Sequence, residues 1–526
     1  SPESLDYSTE TDPKKKGSYY LVNSRSDRFD GNLTLAYNKT IDKHMLNVGV
    51  GSNIMQSETE GESFTGVGFI NPDMIFIGAA NAFQENTSPQ GTYDKSRLVG
   101  FFTNVNYGYG NRYFLDFSFR SDGSSKFGRN SRFAPFWSLG VAWNVHNESF
   151  WHAHEKNALK LRASVGSTGT TNFSSTQALT TYLYDFSREY NGNFGVSLAG
   201  YGNSSLKWQT TLSYNVGVDF TFLHGLVVFN GDFYIKNTRS LLLPVTVAPS
   251  TGFIDYVENI GKLRNTGVEA RLRFNLIQDA VKDLRWNVTL SAFHNRSKIT
   301  QLSNQLETIN QYANDDRANQ GTVVYRQFEA GRSQTALMVV RSGGIDPATG
   351  NEIYIKRNGE MTFEYNHNDK IECGDMKPKI EGNVNTNLNW KGFNLYMLFK
   401  YQYGGKIYNA TLASKVEGAN PLKNADKRVL YDRWKEPGDH AKFRRIDDTS
   451  APYQTTRLVF DNNLLALQSV SLSYELPRKI SQKMYMERVK LLLSSTDLFR
   501  LSSVKQERGT SYPFARTFSI GLNVTF

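Results

Sequence analysis

Cysteine occurs once, at Cys373, so no disulfide can form within the chain and cysteine usage says nothing about compartment. Proline is scarce, 14 in 526 residues, and no apolar run approaches the roughly 18 residues that a membrane-spanning helix needs. The missing run excludes a helical membrane bundle. It does not exclude a β-barrel, whose apolar band hides in alternation. No Gly-x-Ser-x-Gly elbow, Walker loop or paired-cysteine zinc spacing occurs. The net charge of +10 is spread thinly, without a basic helix or stripe, which argues against nucleic acid as a partner. What the chain has in quantity is aromatic: 28 tyrosines and 34 phenylalanines.

Those aromatics fall into a period of two. The chain ends "ARTFSIGLNVTF", with Phe518, Ile520, Leu522, Val524 and Phe526 on one face and Ser519, Gly521, Asn523 and Thr525 on the other. "TLSYNVGVDFTF" sets Tyr214, Val216, Val218 and Phe220 against Asn215, Gly217 and Asp219, and "IEGNVNTNLNW" sets Val384 and Leu388 against Asn383, Asn385, Asn387 and Asn389. Such segments are expected at 30–37, 45–53, 98–109, 112–120, 136–145, 158–166, 209–222, 226–236, 266–276, 284–295, 380–390, 393–402, 463–475, 488–495 and 516–526, about fifteen strands in all. Most have the length a tilted strand needs to cross a bilayer.

A soluble sandwich or propeller alternates as well, so the connections decide. Short links of about 2 to 12 residues alternate without exception with long ones of about 15 to 84. In an antiparallel meander this puts tight turns at one end and large loops at the other, the two-ended asymmetry of outer-membrane barrels. Tyr107, Tyr109 and Tyr113 cluster around the short Gly110-Asn111 turn, where an aromatic girdle belongs. The expected fold is therefore all-β, a transmembrane antiparallel β-barrel with long extracellular loops and an Asn-, Asp-, Ser- and Gly-lined lumen. The first and last of fifteen strands both run inward, so an odd number is missing. Seven more would give twenty-two, the size of the large plugged transporters. Residues 1–29 are expected as an extracellular loop segment at a truncated or cleaved start, since Ser1 stands where a Met or signal peptide would begin. Residues 30–526 are expected as barrel, with large outer loops at about 54–97, 167–208, 237–265, 296–379 and 403–462.

Specific blocks extend this reading. "FRSDGSSKFGRNSRFAPFWSLGVAWNV" (119–145), "LRASVGSTGTTN" (161–172), "SLKWQTTLSYNVGVDF" (205–220), "RNTGVEARL" (264–272), "GGIDPATGNEIY" (343–354), "PKIEGNVNTNLNWKGFNLYMLFKYQYGGKIYN" (378–409) and "SYPFARTFSIGLNVTF" (511–526) resemble SusC/RagA-type TonB-dependent transporters, in family order along nearly the whole chain. The resemblance implies the C-terminal part of an active importer about twice this long. It also implies a plug domain that is not in this chain, TonB engaged through that missing portion, and a SusD-like surface lipoprotein as lid. It gives the terminal strand, Phe518 to Phe526, a second meaning as the signal read by the outer-membrane insertion machinery. The simpler reading is a closing barrel strand, and the two are compatible.

The remaining candidates are weaker. His152 and His154 stand two apart in "WHAH", but in a turn and with no third ligand in view. Asp346 and Glu352 in "GGIDPATGNE" lack the ligand spacing of a calcium loop and read better as a turn. Arg120, Lys126, Arg129 and Arg132 read first as a solvated hairpin, and second as a grip on lipopolysaccharide, lid or anionic substrate. No catalytic group, metal or cofactor is expected. Substrate contact is assigned to tyrosines of the long loops: Tyr182, Tyr184, Tyr190, Tyr201, Tyr312 and Tyr325, whose faces suit sugar rings or peptide side chains. The expected function is uptake of glycans or oligopeptides across the outer membrane of a Gram-negative bacterium. The alternatives are a passive porin, which needs an even, complete barrel, an outer-membrane enzyme, which needs a catalytic constellation, and a soluble β-rich binding protein.

Overall fold

The computed structural model describes residues 17–69, 76–84, 89–128, 131–152, 156–171, 177–200, 202–246, 255–259, 261–302, 310, 327–419, 426–448, 450–504 and 516–526. Fifteen strands follow one another as an antiparallel meander. They are β1 Ser18–Ile41, β2 His44–Val67, β3 Gln90–Tyr109, β4 Tyr113–Ser124, β5 Phe133–Asn144, β6 Ala158–Thr170, β7 Gln209–Phe222, β8 Val227–Arg239, β9 Lys262–Asp279, β10 Leu284–Gln301, β11 Ile380–Trp390, β12 Phe393–Tyr403, β13 Leu464–Glu475, β14 Arg488–Ser502 and β15 Thr517–Thr525. Each strand pairs with its neighbours in sequence, and a short additional strand, Ala82–Phe83, pairs with β2. Among the described residues β1 pairs only with β2 and β15 only with β14, so the sheet has two free edges.

Period two sorts the side chains into two faces. Tyr214, Val216, Val218 and Phe220 of β7 lie opposite Ile235, Phe233, Gly231 and Phe229 of β8. This face is exposed: Val216 keeps 60% of its surface and Ile520 87%. Contiguous bare apolar surface on this scale is what lipid covers. An aromatic row marks its turn end. His44 packs at 4.9 Å on Tyr109, Tyr113 stacks on Trp143 at 6.5 Å, and Phe393 stacks on Tyr474 at 4.3 Å, the placement expected for Tyr109 and Tyr113 from the sequence.

Local chemistry explains the turns and one close approach. Lys391 and Gly392 take φ of 45° and 86°, the two positive values of a type I′ hairpin turn, which glycine relieves at the second. At Gly382 an added Cβ would stand 1.9 Å from the Ser291 carbonyl oxygen and 2.7 Å from the Tyr401 hydroxyl. The Tyr401 hydroxyl donates to that carbonyl at 2.9 Å, so the ring covers the glycine it crosses.

The strands exceed their expected ends on the long-loop side. β1 begins at Ser18, so twelve residues expected as loop within 1–29 are strand. β2 reaches Val67 and β3 starts at Gln90, which narrows the loop expected over 54–97, and β9 and β10 likewise reach Lys262 and Gln301. The extensions are polar on both faces, as in "SETEGES" (57–63), where no oil demands an apolar residue.

Candidate functional site

Two regions gather chemistry: the polar face of the sheet, and a tier of packed loops at its long-loop end. On the polar face, register brings Arg162 of β6, Gly217 of β7, Asp232 of β8 and Glu269 of β9 into one row. Gly217 leaves room for the Arg162 side chain to reach across it, since a Cβ there would stand 2.7 Å from a guanidinium nitrogen. Arg162 meets Asp219 at 2.8 Å and Asp232 at 3.1 Å, and Asn230 donates to Asp219 at 2.8 Å. With Glu269, Arg271 and Ser291 these residues line a recess of about 460 Å³. Further round the sheet, Asn394 donates to Asn387 at 2.8 Å and to Asn389 at 2.6 Å. Here three asparagine amides meet on the wall, with Lys400 opposite Asn383 and Glu381 opposite Gln402 nearer the long-loop end.

The loop tier is built from the chain between β10 and β11 and between β12 and β13. Ala336–Ile345 pairs with Glu352–Ile355 and Lys370–Asp375, and Lys406–Tyr408 pairs with Val459–Asp461. Leu337, Tyr408, Ala413, Val416, Phe443 and Leu458 close an apolar core between the two stretches. Beside it lies a buried ionic network. Arg457 meets Glu352 at 3.0 Å and Glu417 at 2.6 Å, Arg444 meets Glu417 at 2.8 Å and Asp448 at 2.6 Å. Thr455 donates to Glu352 at 2.6 Å, and Arg433 donates to the carbonyls of Val416 and Glu417 at 2.6 and 2.7 Å. Three carboxylates and three guanidinium groups balance, which is the condition for tolerating them inside.

Titration follows from burial. Burial pulls the Arg457 guanidinium down, but Glu352 and Glu417 outweigh it and hold it above its ordinary value. Burial lowers Arg433, raises the Tyr354 and Tyr408 hydroxyls, and brings Lys370 down to about 8. Burial also pushes the Cys373 thiol up to about 11, an unreactive setting for the lone cysteine.

A second cluster staples the loops above β4 to β9. Phe127 and Trp208 stack at 4.7 Å with Phe136, Ala178 and Leu206 around them, and the Trp208 indole donates to the Arg132 carbonyl at 3.1 Å. The sequence blocks "SKFGRN" and "SLKWQTT" are therefore partners in packing.

The sequence candidates separate accordingly. Tyr182 is exposed near the start of the loop hairpin Thr181–Tyr190 with Asn193–Gly200, and Tyr184 and Tyr190 lie on the same strand. Tyr201, Tyr312 and Tyr325 lie outside the described residues, as do Arg129 and His154. The Asp346 carboxylate accepts from the Thr349 hydroxyl at 2.7 Å and from the backbone N–H of Ala348 and Thr349, and Gly350 has φ 73°, so this segment is a turn. Glu352 is not beside it as a ligand; it is buried against Arg457 and Thr455. Arg120 is held by Asp122 and by Asn53 at 2.7 Å on the polar face, rather than standing free in a solvated hairpin. His152 donates from Nδ1 to the Phe150 carbonyl, 2.7 Å away, and is exposed. Phe518, Ile520 and Leu522 are exposed on the apolar face of β15, Val524 is half-buried on the same face, and Phe526 is exposed just past the strand. The buried network escaped the sequence reading; the block "GGIDPATGNEIY", which ends on Glu352 and Tyr354, was its one available pointer.

Comparison with known proteins gives a consistent result. The family described as TonB dependent receptor-like, beta-barrel, matches residues 3–355. TonB-dependent receptor P3 of Formosa agariphila is 26% identical over 94% of this chain and 52% of its own length. TonB-dependent receptor SusC of Bacteroides thetaiotaomicron is 27% identical over 61% of this chain and 32% of its own. The structure of the RagAB peptide transporter superposes with a TM-score of 0.83 at 22% identity, over 97% of this chain and 56% of that one. The chain thus spans about half the length of the relatives it matches most fully.

Proposed function

The chain belongs to the TonB-dependent receptor-like β-barrel family, and from that premise we propose that it forms most of the barrel of an active importer of oligopeptides or glycans. The observation that carries this reading is the pair of free edges. β1 and β15 both run from the long-loop end toward the turn end, so they cannot pair antiparallel with each other. In hydrocarbon each unsatisfied backbone group costs several kcal/mol, so both edges are covered by polypeptide outside this chain, in an odd number of strands. Seven complete a twenty-two-stranded barrel, a size whose lumen holds a plug. A plug needs a source of movement, which TonB supplies through that same outside portion. The turn end faces the periplasm and the loop tier faces outside, where a SusD-like lipoprotein closes over it. Tyr182, Tyr184, Tyr190, Tyr201, Tyr312 and Tyr325 are the proposed substrate contacts, and Phe518 to Phe526 the proposed insertion signal. A match named for peptide transport supports oligopeptides as one substrate class, and the match to SusC keeps glycans beside it.

Extraction from outer membranes in mild detergent, with intact masses of every co-purifying chain, tests this. The expected result is a polypeptide or segment large enough for seven strands and a plug, together with a lipoprotein. Recovery of these 526 residues alone as a stable closed barrel would overturn the reading in favour of a passive pore.

A further inference from the structure

At the long-loop end of β8, β9 and β10 the lipid face changes from apolar to basic within a few residues. Phe233 stands opposite Val268, and both are exposed on that face. Two positions further along, Thr266 stands opposite Arg296; then Arg264 stands opposite Lys298; then Arg239 stands opposite Lys262. All five cations share the period-two face of Phe233, Val268 and Ala292, so they project outward from the wall rather than into the lumen. Arg239, Lys262, Arg264 and Arg296 are exposed and Lys298 is half-buried. Thr238, Leu263, Ser297 and Ile299, which alternate with them, are buried on the other side of the sheet.

Like charges directly opposite one another in a sheet repel. Here no carboxylate occupies a register position beside any of the five: their partners are Thr210, Asn237, Thr266, Gln301 and one another. Cations above the apolar band on β1 to β3 are handled differently, with Arg25 meeting Asp27 at 2.9 Å and Lys95 meeting Glu58 at 2.7 Å. An anion from outside the chain would offset the repulsion on β8 to β10. Depth says where that anion lies. Arg264 stands four residues beyond Val268 on β9, about 13 Å along the strand and about 9 Å along the membrane normal at a tilt of about 45°. The headgroup layer begins at the edge of the hydrocarbon and is roughly 5 to 8 Å deep, within reach of long basic side chains.

We propose that Arg239, Lys262, Arg264, Arg296 and Lys298 form a phosphate site on the outer wall, and that its occupant is the phosphorylated glycolipid of the outer leaflet, lipopolysaccharide. The guanidinium and ammonium groups donate charge-assisted hydrogen bonds to its phosphates, while its acyl chains lie along the apolar rows of Phe233, Val268 and Ala292. The site depends on the orientation given above, with the long-loop end outside, and it serves an importer and a passive pore alike.

The test is native mass spectrometry of the detergent-washed full-length transporter, titrated in turn with bisphosphorylated lipid A, its dephosphorylated form, phosphatidylglycerol and inorganic phosphate. The variants are the double substitution Arg264→Gln with Lys298→Gln, the milder Arg239→Gln, and Lys95→Gln as a paired cation outside the patch. Heat-modifiable migration reports assembly of each. Wild type and Lys95→Gln retain bisphosphorylated lipid A, whereas the double variant retains about tenfold less and Arg239→Gln falls between them. Wild type holds the dephosphorylated form and phosphatidylglycerol about tenfold more weakly, and excess inorganic phosphate does not displace the lipid. Equal retention in wild type and the assembled patch variants overturns the site. Displacement by inorganic phosphate reduces it to a site for the free anion and overturns the lipid assignment. Loss of a co-purifying protein from the double variant, with lipid retention unchanged, gives the patch to an acidic protein surface and overturns it too. A preference for phosphatidylglycerol overturns the assignment together with the orientation. The importer reading is judged separately, by the masses that co-purify.

Discussion

Arg457 lies 105 positions from Glu352 and 40 from Glu417, yet one of its guanidinium nitrogens touches both carboxylates. Nothing in the spacing of these three residues announces the contact. In the sequence they read as surface charges, because buried ions are rare and their partners are remote in the chain. Glu417 and Glu352 are almost wholly enclosed, so the pairing is a matter of tertiary packing around the core of Leu337, Val416 and Leu458. Replacing Arg457 with Met leaves Glu417 with Arg444 and leaves the buried Glu352 carboxylate with the Thr455 hydroxyl but no cation. That arrangement costs about 3–5 kcal/mol, enough to loosen a tier that meets the sheet through a few hydrogen bonds such as Ile299 N–H to the Arg332 carbonyl. Limited proteolysis of the detergent-solubilised protein is expected to cut Arg457→Met between residues 327 and 463 while the strands stay resistant. Wild-type resistance throughout that region would show that the network contributes little.

At the scale of elements the sequence was most informative where oil and water alternate. All fifteen strands of the sheet stand where period two and the short-long rhythm of connections put them, from β1 to β15. The main differences along the sheet are strands that run further than expected beyond the apolar band, beside short strand pairs such as Thr181–Tyr190 with Asn193–Gly200 inside the expected loops. Glu58 of β2 illustrates why: it meets Lys95 of β3 at 2.7 Å and accepts from Tyr93 at 2.6 Å, on the same strand face that carries Val48 and Val50 lower down. Pairing continues there on backbone bonds and salt links, and no hydrophobic period reports it. The same two-faced logic gives a test on β15, whose Ile520 and Ser519 point to opposite faces one residue apart. Ile520→Arg sets a charge into the face that lipid covers, at a cost of about 2–4 kcal/mol near the bilayer midplane. Ser519→Arg sets the same charge on the polar face and is tolerated. Yield of heat-modifiable protein in outer membranes is expected to fall for the first variant and hold for the second; similar yields would mean the face assignment is wrong.

For the whole molecule, the asymmetry of the two edges carries more than the strand count. β15 offers nine residues for pairing, about the span of a bilayer, whereas β1 offers twenty-four, from Ser18 to Ile41. At about 3.3 Å per residue β1 extends to roughly 80 Å, more than twice what the hydrocarbon core requires even with strand tilt. Successive backbone N–H groups of an antiparallel strand point alternately to its two sides, and β2 pairs with β1 along its full length from Ser18 opposite Val67 to Ile41 opposite His44. Half of the β1 amides therefore face β2, and half face the side on which the strand proposed above, from outside these residues, would pair. Inside the membrane that neighbour is obligatory. Beyond it, from about Phe29 back to Ser18, the outer half of the amides could turn to water instead, and the two cases differ in hydrogen exchange. If the neighbour is as long as β1, so that both ladders continue above the membrane, residue-resolved exchange on the full-length transporter finds alternate amides equally protected from Tyr20 through Phe29. We expect this outcome, because Arg25 and Asp27 sit 2.9 Å apart in an extended ribbon whose pairing with β2 shows no bulge over that length. Fast exchange at every second amide above Phe29, with protection at every amide below it, would instead mean that the proposed neighbour of β1 is only membrane-length and leaves the top of β1 as an open edge for another protein to extend.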